Sequence, residues 1–509
     1  MYSDLEKVSS SEEKTAESVV GVSHAVRNED FILGDSLYAR IQRWANKHSL
    51  ETRGVERVPE EERTDTSLLP AGSFWIAANL VVAGISTGSV GVNMGLSFWD
   101  SLLTIIFFNG LAAAGVAWNA TFGPKTGLRQ MVISRYWFGF HGAKIFAILN
   151  MINCVGWSAI NTTVAAQMLH SLSTTHALPP WAGVLIITLL AFVLTLFGYK
   201  VVHMYEKYSW IPAFIIMFII IGRLAISGNF TTGTLGVGKA EAGSVLSFGS
   251  VVFGSTAGWA GIASDYVVYQ PKTVKSWKLF TITFVCIALP VFFVQLVGLA
   301  CIMATQTSAL YADNYGANGM GGLLYAILVP ESLGNFGRFC LVVLALSTVG
   351  GTCPNTYSFG LSMQTLFDIF RRVPRVIWTL LSTCLFVGIA IPTYYSFEEY
   401  MEDFLDIMSY WVALYLAIQL VEHYLFRKGS MANYDLDVYD QADQLPPSAA
   451  TVFAVACGVA GCVTGMSQTW YTGKLAKLAG GDIGLELCFG FAIIGFTGAR
   501  ALERAYFRR

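Results

Sequence analysis

The chain has 509 residues, of which 54% are hydrophobic and only 13% are charged. A soluble domain carries about 25% charged residues, so too few polar side chains are present to cover a surface that faces water. The net charge of −2 comes without a basic patch that would bind a polyanion. The composition therefore indicates an integral membrane protein and excludes a nucleic-acid partner.

The charged residues are concentrated at the start of the chain. Residues 1–70 mix acidic and basic side chains densely, whereas long apolar runs with short polar links follow. The first residues also lack the short apolar core of a secretory signal. We expect a cytosolic tail over 1–70, a membrane domain over 71–504 and a short cytosolic end over 505–509.

The apolar runs divide into twelve segments of the length that crosses a bilayer, about 20 residues. Seventeen Lys and Arg residues fall in the links after even-numbered spans and at the C-terminus, against three in the links after odd-numbered spans. Because positive residues mark cytosolic links, both termini are predicted to be cytosolic. The predicted spans, an all-α arrangement in contact with lipid, are 72–94, 98–120, 143–169, 181–198, 210–227, 244–269, 279–303, 337–361, 376–391, 404–425, 449–466 and 484–502.

Two spans carry glycine-rich interruptions at matching positions, 84–88 in the first and 254–258 in the sixth. Glycine costs about 1 kcal/mol in a helix, and unwound backbone at this depth is tolerated where it lines a cavity. The first and sixth spans open two units of five, and broken helices at such positions bracket the substrate site of inverted-repeat transporters. Close helix packing through glycine is the alternative for either segment alone; the matched pair favours a cavity.

Aromatic and amide side chains occur on the spans expected around this cavity. Trp157 and Asn161 share one face of the third span, Trp259 follows the interruption of the sixth, and Asn355 follows Pro354 in the eighth. Each alone could reflect packing or an interhelical hydrogen bond. Together they predict a flat, neutral, aromatic ligand edged with donors and acceptors, because a buried amide without a partner is costly.

A nucleobase fits this description. Stacking on an aromatic ring contributes about 1–3 kcal/mol per base, and a carboxamide pairs with a base edge through two hydrogen bonds. A sugar would require more hydroxyl partners, and an amino acid would require charges.

At these residues the chain resembles the fungal purine-cytosine permeases of nucleobase-cation-symport family one, from about residue 54 to the C-terminus. The resemblance lies in an ordered set of motifs: 127–131 with 134–136, 156–157 through 161–162, 198–199 with 203 and 205–207, 247–249 through 258–259 to 265–266, and 354–355.

The resemblance implies a plasma-membrane proton symporter for cytosine, adenine, guanine and hypoxanthine. Its fold would be a leucine-transporter-like five-plus-five inverted repeat with two extra C-terminal helices. Two indoles would sandwich the base while two amides read its edge. The implied substrate residues are Ser86, Trp157, Asn161, the Gly258 backbone, Trp259 and Asn355, with Thr87, Ala257 and Asp265 as secondary candidates for substrate binding or coupling. One departure is Gly350 to Cys353 before Pro354, where bulkier or amide residues are expected.

The coupling ion is predicted to be a proton. Sodium-coupled relatives place hydroxyls where Val349 and Gly350 stand here, so a sodium site is poorly supported. The titratable candidates that the sequence offers for the proton are Asp265, Asp406, Glu422 and His423, all nearer the ends of spans than the centre. No cofactor is expected, and the nine cysteines, all in apolar runs, indicate neither disulfides nor a metal site.

Two further function classes stay open on the residues alone. One is a carrier of the same fold for another flat heterocycle, such as pyridoxine, thiamine, uracil or allantoin. The other is a channel or an intramembrane enzyme, although the sequence has no nucleophile–base pair or metal motif that an enzyme would need.

Overall fold

The computed structural model describes residues 54–173, 176–196 and 199–508, without the side chains of 196 and 199–207. Residues 1–53 of the predicted tail lie outside this part. The described end of the tail packs against the link after the second span. There the Arg63 guanidinium donates to the carbonyls of Val58 and Pro124, and the Val58 N–H donates to Gly127.

The described residues form fourteen helices of eleven residues or more, named α1 to α14 in chain order: Leu69–Asn79, Ala83–Asn93, Phe98–Ala120, Arg135–Ser171, Pro180–Leu196, Tyr199–Ser227, Lys239–Ala257, Ser276–Met303, Ala309–Leu328, Asn335–Leu366, Arg375–Thr393, Phe397–Leu420, Ala449–Gly465 and Gly484–Phe507. Shorter helical segments are Glu60–Glu62, Phe122–Thr126, Gln130–Ile133, Gly258–Gly261, Ala263–Tyr266, Ala304–Gln306, Val329–Leu333, Asp368–Arg371, Tyr394–Ser396, Val421–Phe426, Met431–Asn433, Leu436–Val438 and Lys474–Ala479. The strands Ser467–Gln468 and Tyr471–Thr472 pair as an antiparallel hairpin.

Each of the twelve predicted spans coincides with a helix or a broken helix. Among the described residues, seven helices are long and apolar enough to cross a membrane, and the bent pair α1–α2 makes an eighth. One of the seven, Arg375–Phe426, has 52 residues, about 78 Å at 1.5 Å per residue, and the interruption at Tyr394–Ser396 divides it into two spans. The other three spans are α5 and α13, which are short, and α7, which breaks.

The first span breaks at a different place from the one predicted. α1 and α2 meet at a bend of 52° over residues 80–82, so the segment 84–88 is helical within α2. A Cβ at Gly84 would lie 2.8 Å from Val294, and one at Gly88 would collide with the Gln295 carbonyl on α8. Close packing therefore explains these glycines, and the expected unwinding of 84–88 is wrong.

The sixth span breaks at Gly258, where α7 gives way to two short 3₁₀ segments over 258–266. Gly254 lies inside α7, and a Cβ there would collide with the Leu405 carbonyl on α12. The two breaks nevertheless occupy matching places in two units of five spans, α1–α6 and α7–α12. α13 and α14 add two spans and pack mainly on each other and on α12.

One helix was missed by the division into spans. α9 lies in the predicted link between the seventh and eighth spans, where several glycines weaken the helical pattern. A Cβ at Gly321 would lie 2.5 Å from the Gln167 backbone at the end of α4. The glycines therefore allow α9 to lie close against α4.

An ion cluster joins the ends of α12, α13 and α14. Glu422 is 1% exposed and accepts hydrogen bonds from Arg500 at 2.9 Å and Arg427 at 3.1 Å. Glu503 accepts from Arg500 at 2.6 Å and from the backbone N–H of Ala450 at 2.8 Å. Buried charges require such partners, so this cluster fixes the C-terminal pair of helices to the ten-span core.

Candidate substrate site

A cavity of about 40 Å³ lies between the two broken spans and the helices α4, α8 and α10. This volume holds about three water molecules, so a larger ligand would require its walls to separate. Its lining residues are Ala78, Asn79, Val81, Gly84, Thr87, Trp157, Asn161, Ser255, Thr256, Trp259, Val291, Gln295, Gly351 and Asn355.

The third span contributes an indole and an amide. Trp157 is half-buried and meets Phe404 edge-to-face, with ring centroids 6.4 Å apart. Asn161, one turn later, is 2% exposed, and its Oδ1 has no hydrogen-bond partner. Leaving such an oxygen unpaired costs about 1–3 kcal/mol, so it is the atom of this helix best placed to accept a hydrogen bond from a ligand.

Asn161 and Asn355 meet at Gly351. The Asn355 Nδ2 donates to the Gly351 carbonyl at 3.0 Å, one turn earlier on α10. A Cβ at Gly351 would lie 2.9 Å from the Asn161 Nδ2. The departure from the family pattern over 350–353 therefore has a structural reason at position 351, since the absence of a side chain leaves room for the Asn161 amide.

Trp259 connects the two broken spans. Its indole N–H donates to the Asn79 Oδ1 at 2.9 Å, and its ring meets Trp75 edge-to-face at 5.7 Å. Asn79 is the last residue of α1, so this bond orients the indole at the point where both helices break. Sequence reasoning missed Asn79, although a lone amide in the apolar run 74–83 is a usable signal.

Gln295 on α8 was also missed. Its Oε1 accepts from Asn109 at 2.6 Å, and its Nε2 donates to Ser255 at 3.1 Å. The Asn109 Oδ1 in turn accepts from Thr256 at 2.5 Å. This network fixes the end of α7, so Gln295 acts as a wall of the cavity whose oxygen and one amide hydrogen are already engaged.

The structure brings together five of the residues proposed from sequence, namely Thr87, Trp157, Asn161, Trp259 and Asn355. Ser86, Ala257 and Gly258 are buried beside the cavity without lining it. The Gly258 carbonyl accepts from the Asn153 Nδ2 at 3.4 Å. Its backbone therefore already has a protein partner.

Asp265 lies outside the cavity lining. Its Oδ1 accepts from the Gln130 N–H at 2.7 Å, and its carbonyl accepts from Arg129 at 2.9 Å. These bonds attach the 3₁₀ segment of the sixth span to the link after α3. The structure thus gives Asp265 a positioning role there and no place against a ligand in the cavity.

The sequence profile of a family described as "Permease for cytosine/purines, uracil, thiamine, allantoin" matches residues 57–482. The chain belongs to this permease family. It is therefore a membrane transporter rather than an enzyme, which confirms the class predicted from the motifs.

Two curated fungal relatives cover nearly the whole chain. The purine-cytosine permease fcyB of Emericella nidulans is 46% identical, over 99% of this chain and 99% of its own length. The purine-cytosine permease FCY2 of Saccharomyces cerevisiae is 41% identical, over 99% of this chain and 98% of its own length. The resemblance to fungal purine-cytosine permeases is confirmed.

A solved structure shares the fold. The nucleobase-cation-symport-1 family transporter Mhp1, in a closed conformation with bromovinylhydantoin bound, aligns with a TM-score of 0.66 at 14% identity, covering 90% of this chain and 95% of its own. The predicted all-α inverted-repeat transporter fold is thereby confirmed.

Proposed function

We propose that this permease takes up purine bases and cytosine together with protons, by alternating access, across a plasma membrane with both termini in the cytosol. The observation that carries the proposal is one cavity lined by two indoles and four carboxamides, with the Asn161 Oδ1 unpartnered. The names of the fungal relatives support the substrate class.

The residues divide the recognition of a base between them. Trp157 and Trp259 would stack on its faces, each contributing about 1–3 kcal/mol. The Asn161 Oδ1 would accept from a ring N–H or an exocyclic amine. Asn355 has one amide hydrogen engaged with Gly351, which leaves its second hydrogen and its oxygen for the polar edge of the base. Affinity near micromolar, about 8 kcal/mol, is within reach of these contacts.

Proton coupling is favoured over sodium by the residues of α10 at the level where sodium-coupled relatives place hydroxyls, because Val349 and Gly350 have none. One charge moving through 100 mV releases about 2.3 kcal/mol, enough for about 40-fold accumulation of a neutral base.

The proposal is tested by uptake of radiolabelled cytosine, adenine, guanine and hypoxanthine into cells that lack their own nucleobase carriers. We expect saturable uptake that a protonophore abolishes and that is independent of external sodium. Excess pyridoxine, thiamine, uracil or allantoin should compete weakly. Stronger competition by one of these than by any purine or cytosine would reassign the substrate, and sodium dependence would reassign the ion.

Asn161→Ala should abolish uptake while surface expression stays at the wild-type level, because the alanine removes the acceptor for the base without adding volume. Transport and surface labelling are measured on the same cells. Normal uptake by this variant would remove the central residue of the proposed site.

A further inference from the structure

Two carboxylates are buried together at the end of the bundle opposite the Glu422 cluster, which is the extracellular half in the predicted orientation. Asp406 on α12 is 2% exposed, and Asp482, just before α14, is 1% exposed. The Gln468 Nε2 lies between them and donates to the Asp406 Oδ2 at 3.0 Å and to the Asp482 Oδ2 at 3.5 Å. Neither carboxylate has a contact with the substrate cavity.

The two carboxylates differ in their donors. The Asp482 Oδ2 accepts from the Tyr410 hydroxyl and the Ser467 N–H, both at 2.5 Å, and its Oδ1 accepts from the Gly484 N–H at 2.8 Å. Hydrogen bonds donated to a carboxylate stabilise its ionised form. Both oxygens of Asp482 therefore already have hydrogen-bond donors from the protein.

Asp406 has no such set. Its Oδ1 has no hydrogen-bond partner, and neither has the Oε1 of Gln468, a side chain that is 6% exposed. The two unpaired acceptors thus belong to side chains that are already in contact, and one proton added to Asp406 would supply a donor that this pair lacks. A carboxyl O–H is a donor, whereas a second carboxylate would only add like charge.

No cation compensates the pair. Among the residues that the structure describes, no Lys or Arg lies within ion-pair distance of either carboxylate. The titratable groups that face Asp406 are Glu402 and Tyr410 on its own helix, Cys462 on α13 and Asp482, whereas α7 presents the hydroxyl of Ser250. Two buried like charges without a counter-ion favour uptake of one proton.

We propose that Asp406 is the residue that binds the coupling proton, beside the fully hydrogen-bonded carboxylate of Asp482. The step is a proton transfer alone: an O–H bond forms on the Asp406 carboxylate as a proton arrives from outside, and the same bond breaks when the proton leaves. This inference rests on the proposed function as a proton symporter and adds the acceptor that the coupling requires.

The fold connects this carboxylate to the substrate cavity. Asp406 follows Leu405, whose carbonyl packs directly on Gly254 of α7. One turn further along α12, the Ser409 Oγ lies 2.6 Å from the Ser250 Oγ of α7. α7 ends at the cavity wall with Ser255 and Thr256. A change of charge at Asp406 therefore acts on the helix that forms this wall and precedes Trp259.

The test separates exchange of substrate from coupling to protons. Asp406→Asn keeps the shape of the protonated side chain but cannot release a proton. We expect it to retain counterflow of labelled base between equal pools, to lose gradient-driven accumulation, and to show uptake that no longer varies between pH 5 and 8. Asp406→Glu, which restores a carboxyl group, should recover accumulation.

Asp403→Asn is the matched control. Asp403 lies one turn earlier on α12 and accepts from the Thr469 hydroxyl of the same hairpin at 2.7 Å, but in an exposed position. This variant should accumulate base with the wild-type pH profile. Accumulation by Asp406→Asn with a wild-type pH profile would overturn the inference.

A second variant tests the proposal independently if Asp406→Asn folds poorly. Gln468→Ala leaves both acids in place and removes the donor shared between them, which should raise the pH midpoint of uptake by about one unit. An unchanged midpoint would count against the proposal. Insensitivity of the wild-type protein to protonophores would instead overturn the proposed function itself, so the two failures are distinguishable.

Discussion

At the scale of single residues, the site depends on a glycine, Gly351, whose lack of a side chain leaves room for its neighbours. Gly351 lies where the amides of Asn161 and Asn355 come together, its carbonyl accepting from one and its open Cα face lying beside the other. The Asn161 amide is therefore positioned by contact with the backbone of another helix. A glycine that has no side chain to offer a substrate can in this way affect substrate affinity.

Gly351→Ala should weaken substrate binding, because the new Cβ would lie 2.9 Å from the Asn161 Nδ2 and displace it. A misplaced amide loses about 1–3 kcal/mol, which corresponds to a rise of about 5- to 150-fold in the KM of uptake. Gly360→Ala on the same helix is the control, since its Cβ would meet only Trp378 at an ordinary 3.6 Å. Equal KM values for the two variants would contradict this role for Gly351.

Four of the lining residues could be predicted from sequence because tryptophan and asparagine are conspicuous within apolar runs. Asn79 and Gln295 are equally polar, but their value depends on partners from other helices that the sequence does not reveal. The structure places Thr87 in the cavity lining and the predicted Ser86 outside it, and this difference has a geometric cause. Adjacent residues on a helix point about 100° apart, so a small error in the position of the break changes which hydroxyl faces the cavity.

At the scale of helices, the packing of α2 against α8 is built on backbone contact. A Cβ at Gly88 would collide with the Gln295 carbonyl, and one at Gly298 would collide with the Ile85 carbonyl. Small residues on both helices thus bring the two backbones together, as is typical within membranes. The same glycines could be interpreted from sequence as a break, because a glycine pattern does not say whether a neighbour or a cavity lies beside it.

Gly88→Ala should therefore destabilise the protein and reduce its amount at the cell surface, because a backbone carbonyl cannot move aside as a side chain can. We expect a clear fall in the apparent Tm of the detergent-solubilised protein. Gly110→Ala on α3 is the matched control, since no atom lies within 4 Å of its added Cβ. A wild-type Tm for Gly88→Ala would show that the helices can separate at little cost.

At the scale of the whole molecule, one carboxylate links three distant segments. Asp440, in the link after α12, accepts from Arg371 at 2.6 and 2.7 Å and from Arg135 at 2.7 Å. Burial alone would raise the pKa of Asp440, but the hydrogen bonds and charges of the two guanidinium groups outweigh it and hold the pKa below its ordinary value. The link before α11 and the start of α4 are thereby tied to the link before α13.

Asp440→Asn should lower stability at neutral pH by about 1–2 kcal/mol, a modest figure because the carboxylate is about one-third exposed. A depressed carboxyl pKa stabilises the folded state above the ordinary pKa, about 3.9, and that contribution is lost as the pH falls through the lower folded value. The apparent Tm of variant and wild type should hence differ at pH 7 and converge below about pH 4.

Asp437→Asn is the control for this carboxylate, since Asp437 is 90% exposed in its pair with Arg57. Its Tm should match the wild type at both pH values. A constant gap between Asp440→Asn and wild type across this range would mean that the charge of Asp440 is not what joins the segments.

The number of spans could be predicted because a bilayer imposes a length on each apolar segment of a chain. The bilayer does not constrain the links between the spans in this way. Neither α9 nor the packing of residues 427–448 against α4 follows a bilayer rule, since both depend on contacts between segments far apart in sequence. In this chain the sequence predicts best the features that contact with lipid determines.

The Glu422 cluster has a consequence for biosynthesis. Glu422 emerges from the ribosome near its first partner, Arg427, but its second partner, Arg500, follows 78 residues later. A carboxylate with a single counter-ion is costly to leave in hydrocarbon. The nascent α12 thus has reason to remain beside the aqueous insertion machinery until α14 has been translated, so α14 completes the burial of a residue made two helices before.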